Sequence, residues 1–200
     1  MLEDMRVLLA LGGNIKIAAA TEAIAELADR HELIVAQYSG PQSAHELELM
    51  LRNALPDRDV VSVLTQVVVA GGDGAVDCDL PSRPSPEPRA IAEIRSLRVL
   101  LGAGAVVICA AGGLPVTLDE LGTMQRVDAE VDGDLTVALL ARRLDVDLLL
   151  MTSDGDDDDV VAPKLEAVRR FTEATGRHAA VIALADAVRI ARAQAVTLAA

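Results

Sequence analysis

Val7-Leu-Leu-Ala-Leu-Gly-Gly-Asn14 runs from an uninterrupted apolar stretch into two glycines and an amide, and a helical pattern follows from Ile17 to Arg30. An apolar run without polar alternation reads as a strand covered on both faces, the form parallel sheets take. The glycines let backbone approach an anion with no Cβ in the way, the helix that follows aims free N–H groups at it, and Asn14 adds a neutral donor. A tight strand-to-helix turn is the plainer reading of Gly-Gly alone, so the rest of the chain has to weigh on the choice.

The same unit recurs along the chain. Apolar runs rich in β-branched residues at Met5 to Leu11, Glu32 to Ala36, Val60 to Val69, Ala105 to Ala110, Val146 to Thr152 and Ala179 to Leu184 read as buried strands. Helical patterns lie between most of them, at Ile17 to Arg30, Ala44 to Ala54, Arg89 to Leu101, Leu135 to Leu144, Leu165 to Thr175 and Ala185 to Ala193. Alternation of this kind predicts an α/β fold, a three-layer αβα sandwich with a mainly parallel sheet, whose ligands bind at the carboxyl ends of the strands. No repeat, heptad or long linker divides the 200 residues, which read as a single domain over residues 1–200.

Composition narrows the function. The chain is 52% hydrophobic but has only Tyr38 and Phe171 as aromatics, so its core is aliphatic and it offers no stacking platform for single-stranded nucleic acid. A formal charge of −13 repels phosphate backbones and anionic lipid, which argues against nucleic-acid and membrane partners. No uncharged apolar run is long enough to span a bilayer, and Met-Leu-Glu-Asp-Met-Arg lacks the pattern of a secretory signal; the expected location is cytoplasmic. Cys78 and Cys109 fall in a loop and a buried strand, which is neither a disulfide framework nor a metal-ligand spacing, and Cys109 reads as core. His31, His45 and His178 flank elements without carboxylate or Cys at ligand spacing and read as surface or packing residues.

Among the 18 basic residues only Lys16 and Lys164 are lysine, the compact ammonium suited to a transferring phosphoryl group. Lys16 can reach a phosphate from the Gly-Gly-Asn turn or stand as an exposed helix-start residue, where a cation opposes the dipole. Asp132 and Asp134 divide between an N-cap and a role orienting cations and metal. Pro163 falls near the start of its helix and Gly176 just past its end. Four loops rich in Gly, Pro or acid stand out, at Tyr38 to Gln42, Ala70 to Pro88, Ala111 to Asp119 and Ser153 to Val161. Within the last, Asp154-Gly-Asp-Asp-Asp-Asp159 lacks the alternation of a Ca²⁺ loop and reads first as a solvated acidic turn.

Taken in order, several segments carry a family resemblance. Ala10-Leu-Gly-Gly-Asn14, Gly40-Pro-Gln42, Leu64-Thr-Gln-Val-Val-Val69, Pro84-Ser-Pro-Glu-Pro88, Val107-Ile-Cys109 leading to Gly112-Gly113-Leu-Pro-Val116, Asp132-Gly-Asp134 before Ala138-Leu-Leu-Ala141, and Pro163-Lys-Leu-Glu-Ala167 together resemble carbamate kinase, of the amino acid kinase superfamily. The resemblance spans about Val7 to the C-terminus and implies that family's fold, with the lid subdomain reduced or absent and 70–88 a remnant of it or a connecting loop.

It also implies a reversible transfer of the γ-phosphoryl of ATP to carbamate, often run from carbamoyl phosphate and ADP toward ATP, with Mg²⁺ on the nucleotide and a homodimeric assembly. Such chemistry is positioning plus charge neutralisation. On this resemblance Lys164, Asp134 and Lys16 are the candidate catalytic residues. Gly12, Gly13, Asn14, Ser39 and Gly40 would hold the substrate, and Gly112, Gly113, Thr152, Asp154, Lys164 and Ala185 the nucleotide. No residue is assigned as a protein metal ligand.

The departures are specific. Gly133 stands where the family's Asp-Lys-Asp has lysine, Tyr38 where its His-Gly-Asn-Gly-Pro-Gln has glycine, and Ala162 where glycine precedes Pro-Lys; the glycine run near Gly112 is also shortened. Each costs donor access or cationic charge, and loss of one preorganised charge contact costs about 10²-fold or more in rate. Two functions therefore stay open: an active phosphotransferase, or an impaired relative acting as a nucleotide- or phosphate-binding or dimeric scaffold.

Overall fold

A computed structural model describes residues 5–13, 15–70, 85–153 and 158–198. Six strands form one wholly parallel sheet: β1 (Arg6–Leu11), β2 (Glu32–Gln37), β3 (Val60–Val63), β6 (Val106–Ala110), β9 (Leu148–Thr152) and β10 (His178–Ile182). Their spatial order is β10-β9-β1-β2-β6-β3. The apolar runs that predict these strands are buried on both faces because helices cover both.

Helix α1 (Ile17–Ala28), α2 (Pro41–Ala54) and α6 (Ala187–Leu198) lie on one side, where Ile24, Leu27, Leu47, Leu51 and Ala191 meet Val7, Leu9, Val35 and Leu150. Helix α3 (Ile94–Gly102), α4 (Gly133–Arg143) and α5 (Asp158–Thr175) lie on the other, where Leu97, Leu101, Val137, Leu140, Ala167 and Phe171 meet Leu8, Ala10, Ile34, Val107 and Met151. This is the αβα sandwich expected from the alternation of elements. Since α1 and α5 cross over opposite faces, the chain leaves β1 in one direction and β9 in the other, which makes their carboxyl ends the topological switch point of the sheet.

Several sequence expectations need correction. Val60 to Val69 is not one strand: it breaks at Leu64-Thr65, and Gln66–Val69 becomes β4 of a second sheet with β5 (Pro88–Ile91), β7 (Leu114–Leu118) and β8 (Met124–Arg126), in the order β5-β4-β7-β8. Thr65 makes the break, its Oγ1 donating to Ala110 O at 3.0 Å and its carbonyl accepting from Leu114 N at 2.8 Å. Ala111 to Asp119 is accordingly mostly strand, and the helix expected from Arg89 starts at Ile94 because Pro88–Ile91 pairs with β4.

Pro163 sits inside α5 rather than near its start, the helix beginning at Asp158 with two acidic residues in its first turn. The last helix is preceded by a 3-10 turn, Leu184–Asp186, and runs beyond Ala193 to Leu198. Cys109 is core, 1% exposed, and burial pushes its thiol up to about 12. Asn14, Cys78, Asp154 and most of the 70–88 segment lie outside the described residues. No helix among the described residues is long and apolar enough to cross a membrane.

Candidate functional site

The site forms where β1, β2 and β9 end and α4 and α5 begin. Asp132 caps α4: its side chain accepts from Leu135 N at 2.9 Å, while Thr136 Oγ1 donates to its carbonyl. That cap settles which aspartate does what, since it frees Asp134 in the first turn of α4 for another partner. The partner comes from α5. Lys164, Ala167 and Phe171 recur at helical spacing on its buried stripe, so a helix packed by alanine and phenylalanine carries an ammonium inward with them.

Lys164 Nζ lies 3.1 Å from Asp134 Oδ1, with the two residues only 7% and 9% exposed. In a pair this secluded, either charge without the other would be buried uncompensated. Tyr38, from the segment just past β2, completes the cluster. Its hydroxyl donates to the same Oδ1 at 2.5 Å, and its ring centroid is 4.9 Å from Lys164 Nζ, a cation-π contact. Burial and then the Asp134 carboxylate hold the Tyr38 phenol above its ordinary range, so it is a neutral donor.

The ring also explains Gly133. A Cβ there would stand 2.9 Å from Tyr38 Cε1 and 3.3 Å from Cδ1. The aromatic at 38 and the bare backbone at 133 are thus one packing event, in which Tyr38 lies against the space a side chain at 133 would enter. Gly112 belongs to the same corner, its N lying 3.7 Å from that Cβ position.

Other candidates have structural duties. Gly12 N donates to Thr152 Oγ1 at 2.8 Å, and the fully buried Thr152 Oγ1 donates in turn to Ala10 O at 3.0 Å, a clasp between the end of β1 and β9. Gly12 is needed for its size, since a Cβ would meet Thr152 O at 3.2 Å, and its N–H is already spent. Gly113, at φ +62, lets β7 approach β4, where a Cβ would strike Val67 Cγ2 at 2.4 Å. Gly13 is open, and its carbonyl accepts from Ser39 Oγ at 3.4 Å.

Gly40, at φ +86, is the N-cap of α2, and no side chain caps the helix, which opens on Pro41. Lys16 is exposed at the N-cap of α1 and makes no ion pair among the described residues. Ala185 is exposed in the turn after β10. Among the described residues no group of three or more His, Cys, Asp or Glu is placed to hold a metal. The sequence does not connect Tyr38 with Asp134; the available signal is that Tyr38 is one of only two aromatics and stands in a loop rich in small residues.

The architecture defines an α/β protein with an ion pair in a corner at a strand switch point, a place where such folds take ligands. No family model matches the chain. It is 32% identical to a carbamate kinase of Rhizobium meliloti over 302 residues, covering 97% of this chain and 93% of that protein, and 34% identical to one of Haemophilus influenzae over 142 residues, covering 57% and 46%. Among solved structures, a Giardia carbamate kinase superposes with a TM-score of 0.77 at 21% identity over 95% and 96% of the two chains. A Giardia lamblia carbamate kinase bound to AMP-PNP superposes at 0.73 and 21% over 96% and 97%. The chain belongs to the carbamate kinase family, and with 200 residues it is shorter than the relatives it matches.

Proposed function

We propose that the protein is a phosphotransferase of the carbamate kinase type, moving a phosphoryl group reversibly between ATP and carbamate. In the direction of ATP synthesis, a β-phosphate oxygen of ADP attacks the phosphorus of carbamoyl phosphate, the bond from phosphorus to the carbamate oxygen breaks, and carbamate leaves with the electron pair. Such a transfer needs a fixed cation at the migrating group and donors around its oxygens.

The observation that carries this reading is Lys164: a secluded ammonium beside the strand switch point, bonded once to Asp134 and offering further N–H donors without another acceptor among the described residues. In this reading Asp134 orients it, Gly13, Ser39 and the N-terminus of α2 at Gly40 border the phosphoryl group, and Gly112 lines the corner. Gly113 and Thr152 shape the nucleotide side as packing and clasp rather than as donors, and Ala185 edges it. Asn14, Lys16 and Asp154 stay on this list from sequence alone. The described residues do not supply a protein ligand set for Mg²⁺, which would arrive on the nucleotide's own oxygens. Action as a homodimer in the cytoplasm belongs to the same proposal.

A second reading, an impaired family member that binds nucleotide or phosphate as a scaffold, is favoured by the spent N–H of Gly12 and by the absence of a side chain at Gly133. Luminescent detection of ATP from carbamoyl phosphate and Mg-ADP separates the two. The kinase reading expects turnover that falls about 10²-fold or more in Lys164→Met. No signal above background, or an undiminished rate in the variant, overturns it. Calorimetric binding of Mg-ADP without turnover would leave the scaffold.

A further inference from the structure

Tyr38 joins three observations that the reaction does not itself require. Its hydroxyl shares Asp134 Oδ1 with Lys164, its ring lies 4.9 Å from the ammonium, and its edge abuts Gly133 so closely that a Cβ would not fit. Tyr38 comes from the short stretch between β2 and the Gly40 N-cap, an element separate from both α4 and α5. Its side chain is therefore the one member of the cluster carried by neither of the two helices. Lys164 rides on the packed stripe with Ala167 and Phe171, and Asp134 sits in the first turn of a helix whose cap is made by Asp132. The aromatic ring thus lies against the ammonium, the carboxylate and the backbone of residue 133 together.

We propose that Tyr38 is the positioning residue that decides what reaches Lys164: with the ring in place the ammonium is reserved for Asp134, and a phosphate-bearing ligand engages it once the ring swings aside. The ligand class rests on the proposed function; the shielding does not. When the ring leaves, Asp134 gives up one of the two donors on Oδ1 and Lys164 loses its aromatic cover, so an oxyanion entering there replaces the π-face with a charged acceptor. Access to the cation and its direction are then set by one rotamer.

The sequence supplies an internal control, because Lys16 and Lys164 are its only lysines and Lys16 is exposed. Reductive methylation of the full chain, read by peptide mass mapping, gives the ratio of the two labelling rates. The proposal expects Lys164 to label far more slowly than Lys16 in the wild type and Tyr38→Phe, which keeps the ring, to stay close to it. In Tyr38→Ala the Lys164 rate should rise about tenfold or more with Lys16 unchanged, as local shielding is lost. Inorganic pyrophosphate should then protect Lys164 in the alanine variant more than in the wild type. Tyr38→Leu, which keeps apolar bulk over Gly133 but no ring, gives the same direction should the alanine variant fail to fold. An unchanged ratio in the open variants, or Tyr38→Phe matching Tyr38→Ala, overturns the shielding. Absence of pyrophosphate protection overturns the ligand class, and with it points against the kinase reading, while leaving the labelling result to judge Tyr38.

Discussion

Removing one member of the Lys164–Asp134 pair strands the other in a place water hardly reaches. At 3.1 Å and an effective dielectric near 20, the gross attraction is on the order of 5 kcal/mol. Desolvating both ions offsets most of it, so the intact pair contributes little net stability, yet a single truncation leaves a charge without its partner and costs about 3 kcal/mol. Asp134→Ala and Lys164→Met should each lose that amount. The double variant should lose less than the sum, by about 2 kcal/mol, since neither charge remains to be stranded. Urea unfolding at neutral pH reads this directly: with m of about 2 kcal/mol/M, each single variant moves the midpoint by about 1.5 M at unchanged m. Strictly additive losses, or single losses within about 0.5 kcal/mol as for exposed ion pairs, would refute the claim that this pair is secluded and coupled.

Further expectations follow from the same geometry. Thr152→Val keeps the shape of the clasp but leaves Gly12 N–H and Ala10 O without Oγ1, and should cost about 2 kcal/mol in the same urea assay. Gly113→Ala combines a left-handed backbone with contact on Val67 and should cost about 3 kcal/mol, with a lowered thermal midpoint as the check. In a Cys78→Ser background, native Cys109 should resist iodoacetamide at pH 8 and react on unfolding, because burial holds its thiol at about 12. Glu166, held down to about 2 by hydrogen bonds from Arg169 and Arg170, favours the fold above its unfolded pKa. That contribution is lost as pH falls toward 2, so Glu166→Gln should flatten the acid limb of a stability profile.

The sequence made the parallel sheet legible because its strands are covered on both faces and read as unbroken apolar runs. It misread Val60 to Val69 for the same reason: nothing in an apolar run marks the point where Thr65 ties the chain to Ala110 and turns it into a second sheet. Leu114–Leu118 and Met124–Arg126 escaped because partly or fully exposed strands near glycines look like loop. At the site, the Asp132-Gly-Asp134 and Pro163-Lys164 segments were recognisable and do converge. The spending of Gly12 N–H on Thr152, and the way Tyr38 and Gly133 explain each other, depend on contacts 140 residues apart and across β2 and α4, which spacing along a chain does not encode.

Lys164 acts, on the kinase reading, as an anion-binding ammonium at the strand switch point, and calorimetric titration of the wild type and Lys164→Met with Mg-ADP followed by carbamoyl phosphate decides whether it does. Saturable binding in the wild type that weakens about tenfold or more in the variant, the equivalent of roughly 1.4 kcal/mol, is the expected result. Equal binding by both proteins, or none by the wild type, would contradict it.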